Sequence, residues 1–344
     1  MFTLVSEGNE SKYIIYKDFE KNIKDKKNCI DKYVKMWNKI KKISNPYELI
    51  HNINKNNYKP ISRSYYKMLE MISDYNLLDS NKNRVACLAE GPGGFIEAIY
   101  NFSKVKNKQV SIYGVTLPPD NDNDNDIPKW NNLKINDFIN TKIIYGDLCQ
   151  KNDITGFMKY IDTKVDFVTA DGAVDYSTNY NKQEQLSYKL FLGEILTTFM
   201  ILKKGGSYVM KIFDTFRIVT IKILGLLYEY FDEFTICKPK TSRVLNSEKY
   251  VILKGFKGIN NTKLDELLEL LMGLNENTLD LNITTLTNDF IHIINEYNIK
   301  FYNQQLNYLD IALNHAKNFT MFDKSEIIIK QKKLAIEWHN IYGI

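Results

Sequence analysis

Three glycines and a proline within four positions can neither continue a strand nor sit inside a helix, so the segment Glu90-Gly91-Pro92-Gly93-Gly94-Phe95 must turn. It follows an apolar run over 85–89, read as a buried strand, and precedes a helix-like stretch over 95–102. Such a turn removes Cβ atoms where a ligand must touch backbone and aims the first N–H groups of the helix at it. In an open parallel sheet that place is the ligand crevice. A tight structural turn is the alternative, and for an isolated glycine cluster it is the stronger reading. Here the turn opens the first unit of a long alternation.

Further strands are expected over 110–115, 142–145, 165–170, 207–213 and 249–253, with helices over 62–72, 183–202 and 216–231. Near-continuous apolar strands separated by helices argue for a doubly wound α/β domain, a mostly parallel sheet covered on both faces, over 46–258. An Asp/Asn tract between Pro118 and Pro128 is too polar to bury anything and is expected to be a mobile loop. Residues 1–45 form an N-terminal helical extension in which Val34, Trp37 and Ile40 recur at helical spacing within a lysine-dense stretch. An amphipathic helix with a solvated basic face is expected there, with a phosphate-tracking arm as the alternative. Over 259–344 the pattern is helical only, at 264–272, 289–297, 304–319 and 326–342, and no chemistry is expected in it.

The loop has neither the GxGxxG spacing of dinucleotide enzymes nor the GxxxxGK[ST] of phosphate-cradling ATPases. A nicotinamide site would also want an acid at the end of the next strand, where this chain has Gly114-Val115-Thr116-Leu117. S-adenosylmethionine has no pyrophosphate, so a compact turn suits it better. Asp147, in Gly146-Asp147-Leu148, is then placed to accept from an adenine amino group, or else is a turn residue.

Asp171 ends the run 165–170 and precedes Gly172, which puts a carboxylate on the carboxyl rim of a central strand. Lys211 lies inside the otherwise apolar Tyr208-Val209-Met210-Lys211-Ile212-Phe213, where an amine is expensive to bury unless paired. Lys67 comes from the helix over 62–72 and Glu248 from Asn246-Ser247-Glu248-Lys249-Tyr250. If the last strand runs antiparallel to the others, its start meets their carboxyl ends and Glu248 faces Lys211. Two amines and two acids in one cluster can tune one amine toward general-base work. Each residue alone reads as an ordinary ion pair; four on one rim beside one glycine loop do not.

The 46 Lys+Arg against 41 Asp+Glu permit a polyanion partner without demanding one. Cys29, Cys87, Cys149 and Cys237 have no CxxC spacing, and the four histidines form no cluster, so neither zinc nor disulfides are expected. Glu7, Glu10 and Lys12 interrupt any secretory signal, and the apolar run 190–202 is too short to span a bilayer. A soluble intracellular protein without membrane contact is the expectation, cytoplasmic (in a viral factory or virion) or, alternatively, nuclear.

These residues resemble the FtsJ-like RNA ribose 2'-O-methyltransferases, and among them the eukaryotic and viral mRNA cap enzymes with the Adrift-type domain. The resemblance rests on Ser62-Arg63-Ser64-Tyr65-Tyr66-Lys67, Glu90 to Phe95, Ala170-Asp171-Gly172, Val209-Met210-Lys211-Ile212-Phe213-Asp214, Lys238-Pro239-Lys240-Thr241-Ser242-Arg243 and Asn246-Ser247-Glu248-Lys249-Tyr250-Val251. It implies a Rossmann-like methyltransferase fold with an antiparallel last strand. It also implies a catalytic tetrad of Lys67, Asp171, Lys211 and Glu248, with Lys211 as the base for a 2'-hydroxyl. The cofactor would be S-adenosyl-L-methionine, lined by Gly91, Pro92, Gly93, Gly94, Phe95, Thr116, Asp147 and Asp171, with Thr116 standing where many members have an acid. Arg63, Arg217, Lys238, Lys240, Ser242 and Arg243 flank the tetrad as expected RNA contacts, and Tyr65, Tyr66 and Tyr176 could stack a base. The expected substrate is the capped 5' end of mRNA, at the first or alternatively the second transcribed nucleotide, with the capping or transcription machinery as a partner. The alternatives are an rRNA or tRNA ribose methyltransferase and a non-catalytic RNA-binding subunit.

Overall fold

The apolar run after Lys82 is a strand whose side chains alternate between two buried layers, Val85 and Cys87 in one, Ala86 and Leu88 in the other. A strand buried on both faces needs helices on both, and the chain supplies them. The computed structural model describes residues 2–53, 58–119, 129–175, 180–318 and 324–343. Its elements are β1 (Thr3–Val5), α1 (Lys17–Asn28), α2 (Val34–Ser44), α3 (Ser64–Tyr75), β2 (Lys82–Leu88), α4 (Gly94–Val105), β3 (Gln109–Thr116) and a single turn α5 (Asn132–Ile135). Then come β4 (Thr141–Tyr145), α6 (Lys151–Ile161), β5 (Val165–Ala170), the short α7 (Gln183–Leu186), α8 (Tyr188–Ile201), β6 (Leu202–Ile212), α9 (Ile218–Tyr230), β7 (Glu233–Cys237) and β8 (Lys249–Lys254). The chain ends with α10 (Asn261–Gly273), β9 (Asp280–Asn282), α11 (Asn288–Lys317) and α12 (Lys324–Tyr342).

Seven strands form the central sheet in the order β4-β3-β2-β5-β6-β8-β7. Those from β2 to β6 are parallel, and β8 is inserted antiparallel between β6 and β7. The start of β8 therefore meets the carboxyl ends of β5 and β6. This is the Rossmann-like arrangement with an antiparallel last strand. One apolar layer joins the sheet to α6, α8, α9 and α10, and the other joins it to α3, α4 and α12.

Several expectations change. The helix over 183–202 breaks at Ser187 into α7 and α8, and the two helices expected over 289–297 and 304–319 are one 30-residue helix, α11. Nothing between them breaks it: Asn298 stays helical because its buried amide bonds the Thr215 carbonyl and its Oδ1 meets the Thr215 hydroxyl. The C-terminal region is not helical throughout, since β9 pairs with β1. The basic N-terminal stretch is two helices parted by a 3₁₀ segment, Cys29–Tyr33. Its apolar side packs on α11, with Phe19 stacked on Tyr302 at 3.9 Å and Ile40 against Ala312 and Ala316. The extension and the tail form one layer. The tract between Pro118 and Pro128 lies almost wholly outside the described residues. No helix among the described residues is long and apolar enough to cross a membrane.

Candidate active site

The rim where β2, β5 and β6 end and β8 begins gathers the four predicted residues. Lys67, in the first turn of α3, places Nζ 3.0 Å from both Glu248 oxygens and 3.0 Å from the Tyr250 hydroxyl. Lys211, near the end of β6, places Nζ 3.3 Å from Asp171 Oδ1 and donates to the Asp171 main-chain carbonyl at 2.5 Å. Tyr250 joins the two pairs, because its hydroxyl donates to Asp171 Oδ1 at 2.7 Å. It stands directly opposite Lys211 in the antiparallel ladder, which puts both side chains on one face. Ser242 closes the chain of contacts by donating to Glu248 Oε1 at 2.7 Å. All four tetrad side chains are between 8% and 13% exposed, buried enough for strong electrostatics and open enough to meet a substrate.

The charges settle unequally. Burial alone pushes the Lys211 ammonium down, but Asp171, Glu248 and Glu194 outweigh it and the net shift is upward. The expectation of an amine depressed toward neutrality is thus corrected for the free protein, because carboxyls outnumber amines around it. Glu248 moves below the usual carboxylate range: burial opposes this, and Lys67, Lys211, Lys238 and the Ser242 hydroxyl overcome it.

The glycine loop is held as much by protein as it is open to a ligand. Gly91 N–H donates to Thr116 Oγ1 at 3.1 Å, and Phe95 N–H donates to Glu90 Oε1 at 3.1 Å. Gly93 has φ +115°, and a Cβ on it would lie 2.6 Å from Ile135. A Cβ on Gly94 would lie 2.1 Å from the hydroxyls of Ser62 and Ser64, so these two glycines admit neighbouring protein rather than a ligand. Thr116, 5% exposed, supports the loop, and Phe95 is fully buried core beside Tyr250; both depart from the expected cofactor lining. Gly91 and Pro92 remain half-exposed on the rim. Asp147, past the end of β4, takes the Cys149 N–H through Oδ1 at 2.8 Å.

Most of the expected RNA contacts are engaged internally. Arg217 is clamped by Glu10 at 2.6 Å and Glu20 at 2.9 Å, and Arg63 donates to the carbonyls of Tyr47, Glu48 and Thr241. Lys238 donates to Asn246 O, Asn246 Oδ1 and Glu248 O, a strut behind the Glu248 turn; burial pushes its pKa down to about 7 against the pull of Glu248. Ser242 is buried against Glu248. Only Lys240 and Arg243 present exposed charge. Tyr65 and Tyr66 are core residues, 5% and 2% exposed, so stacking a base is not open to them; Tyr176 lies outside the described residues.

The sequence pattern of the FtsJ-like methyltransferases matches residues 60–256, more than half of the chain. The chain belongs to the FtsJ-like methyltransferase family. Among curated relatives it is 30% identical over 262 residues to the cap-specific mRNA (nucleoside-2'-O-)-methyltransferase 1 of Dictyostelium discoideum, covering 68% of this chain and 32% of that protein. It is 30% identical over 255 residues to the mouse protein of the same name, covering 64% and 28%. A protein of African swine fever virus, a methyltransferase by name, is 26% identical over 229 residues, covering 62% and 53%. The chain thus spans about a third of the two cap-specific relatives and about half of the viral one.

The methyl donor of an FtsJ-like domain is S-adenosylmethionine, and the residues present fit it. Its sulfonium is a cation, and the rim carries Asp171, Glu248 and two further buried carboxyls, Glu90 and Glu194, each with one oxygen that meets no donor. Gly91 and Pro92 at the end of β2 and Asp147 past the end of β4 continue the same rim on one side of these carboxyls. Four residues of the rim and its supports escaped the sequence reading: Tyr250, Glu90, Glu194 and Glu70, whose carboxylate on α3 takes the Lys240 and Thr241 N–H groups. Tyr250 and Glu90 stand inside the quoted motifs and needed only the register to be seen. Glu194 carried a signal, an acid in an otherwise apolar helix.

Proposed function

We propose that this protein transfers a methyl group from S-adenosylmethionine to a ribose 2'-hydroxyl of RNA, and that its RNA is the capped 5' end of mRNA, modified at the first or second transcribed nucleotide. The observation that carries the methyl-transfer reading is the closed series Lys211–Asp171–Tyr250–Lys67–Glu248 at the rim beside the glycine loop. The names of the Dictyostelium and mouse relatives support the cap reading.

The bound donor supplies an electrophilic methyl to the hydroxyl oxygen. The protein supplies alignment and a place for the proton. Lys211, an ammonium in the free protein, lies within reach of the Asp171 carboxylate, so it can pass its own proton to Oδ1 as it takes the hydroxyl proton; the pair acts as one acceptor. Lys67, fixed by both Glu248 oxygens and Tyr250, holds a positive charge beside the oxygen as it becomes an alkoxide. Lys240 and Arg243, exposed beside the Glu248 turn, are the cations this reading gives to the RNA backbone.

A labelled-methyl assay on capped and uncapped short RNAs tests this. Labelling of the capped RNA above the uncapped is expected; equal labelling defeats the cap reading in favour of another RNA ribose substrate. Lys211→Ala is expected to lower turnover by roughly 100-fold or more while RNA still binds. Undiminished turnover would remove Lys211 from the chemistry.

A further inference from the structure

Around Lys211 the protein buries more carboxyls than its amines can neutralise. Asp171 and Glu248 are each held by two side chains: the first by Lys211 and Tyr250, both on Oδ1, the second by Lys67 and Ser242. Glu90, 2% exposed, takes the Phe95 N–H on Oε1 and nothing on Oε2. Glu194, fully buried on α8, takes the Gly172 N–H on Oε1 at 3.2 Å and nothing on Oε2. Its carboxyl sits so close behind the Asp171–Gly172 turn that a Cβ on residue 172 would lie 2.3 Å from Oε1, which accounts for the glycine there.

A buried carboxylate with one oxygen shut off from every donor is costly, and the usual remedy is a proton. The groups that face Glu194 are the Lys211 ammonium and Asp171 carboxylate on the rim, the Cys149 thiol beyond β4 and the Tyr208 hydroxyl on β6. Lys211 is the single cation among them, and it is already paired to Asp171. Burial pushes the Glu194 carboxyl up to about 8, against the pull of Lys211 and the Gly172 N–H. Burial and Asp171 likewise raise Glu90, opposed by the Phe95 N–H, Lys211 and Lys67.

We infer that Glu194, its free carboxyl oxygen buried behind the Asp171–Gly172 turn, is the counter-charge for the sulfonium of the methyl donor, so that the pocket prefers the charged donor over its demethylated product. The inference rests on S-adenosylmethionine as the cofactor and is independent of which RNA is methylated. The two ligands differ in the sulfonium, which also acidifies the donor's own amino group, so the part of the difference in proton release that Glu194→Gln abolishes is the part that reports Glu194. The direction follows from linkage. Below the free-protein pKa of Glu194, donor binding expels a proton and tightens as pH rises; above it the carboxylate is already ionised and the dependence flattens. Affinity for the demethylated product stays level through the same window. After transfer the sulfonium charge is gone and Glu194 takes back a proton, which weakens nothing in the product but removes its advantage.

The test is calorimetric titration of the full chain with S-adenosylmethionine and with S-adenosylhomocysteine, from pH 6.5 to 8.5, in two buffers of different ionisation enthalpy. The expected result is proton release with the first ligand and not the second. The ratio of their affinities should rise by roughly three- to tenfold between pH 7 and pH 8, a single-proton dependence. Glu194→Gln retains an oxygen for Gly172 N–H and loses the titration, so it should bind both ligands with the pH dependence of the ratio flattened. Glu194→Ala, which loses the Gly172 contact too, should weaken both ligands alike. Equal proton release with the two ligands, or an undiminished slope in Glu194→Gln, overturns the inference and leaves the family's cofactor in place. Binding of neither ligand would overturn the cofactor assignment as well.

Discussion

Tyr250 is the side chain through which two separate ion pairs become one site. Its hydroxyl accepts from Lys67 at 3.0 Å and donates to Asp171 at 2.7 Å, and so holds those two charged groups at a fixed separation. Burial, with Asp171 and Glu248 nearby, raises the phenol further, so it works as a neutral hydroxyl across the physiological range. A hydrogen bond to a charged group contributes about 1.5–3 kcal/mol. Tyr250→Phe keeps the ring against Phe95 and deletes both bonds, so the rate at saturating donor and RNA should fall by roughly 10- to 100-fold, and the melting temperature should fall with it. A variant as fast as the parent would show that the tetrad is held by its ion pairs alone.

At the scale of elements, the segment after β7 shows how a loop is made into part of a site. Glu70, buried in α3, accepts from Lys240 N at 2.6 Å, Thr241 N at 2.9 Å, Thr241 Oγ1 at 2.6 Å and Trp338 Nε1 at 3.0 Å. One carboxylate thus ties the Pro239–Ser242 turn to α3 and to α12, and the turn in turn delivers Ser242 to Glu248. Burial raises the Glu70 carboxyl, and the four donors oppose it. Glu70→Ala would leave buried N–H groups unpaired, at a cost of about 1–3 kcal/mol for each. Denaturant melts should show that loss, and methyl transfer should fall with it; a loss of stability with full turnover would separate the turn from the chemistry. The sequence foretold the turn by its motif but not its anchor. Lys67, Asp171, Lys211 and Glu248 were legible because each breaks a pattern, an amine or acid at the polar end of an apolar element. Glu70 carried the same signal, an acid inside the apolar run Met68-Leu69-Glu70-Met71-Ile72, but nothing in the sequence shows which turn it holds. The strands of the sheet were legible by their apolar runs, whereas α6, with Ile154, Phe157 and Ile161 spaced for a helix, and the five-residue β7 passed unnoticed between stronger signals. The misassigned arginines share one cause: a cation near a motif looks the same in sequence whether it faces RNA or is held by carbonyls and carboxylates of its own chain.

For the whole molecule, the question is whether the first 45 residues serve the substrate or the fold. The lysine-dense face invites the former, yet the apolar side is spent on the tail: Phe19 on Tyr302, Ile23 with Leu309 and Phe216, Ile40 with Ala312 and Ala316. The polar contacts agree. Glu10 and Glu20 are the carboxylates that clamp Arg217 at the start of α9, and Lys26 pairs with Asp310 on α11. Removing residues 1–45 would strip the cover from one side of α11 and leave the Arg217 guanidinium, 11% exposed, without either ion-pair partner. Glu10 is itself 54% exposed and the cut opens Arg217 to water, so each lost pair costs about 1 kcal/mol or less, and the lost apolar contacts carry most of the effect. The truncated chain should therefore melt several degrees lower, and α11 should become the first site of limited proteolysis. A phosphate-tracking arm predicts the opposite pair of results: an unchanged melt, and RNA affinity that falls and loses part of its salt dependence. Measuring both on one truncation decides between them, and the stacking of Phe19 on Tyr302 puts the weight on the fold.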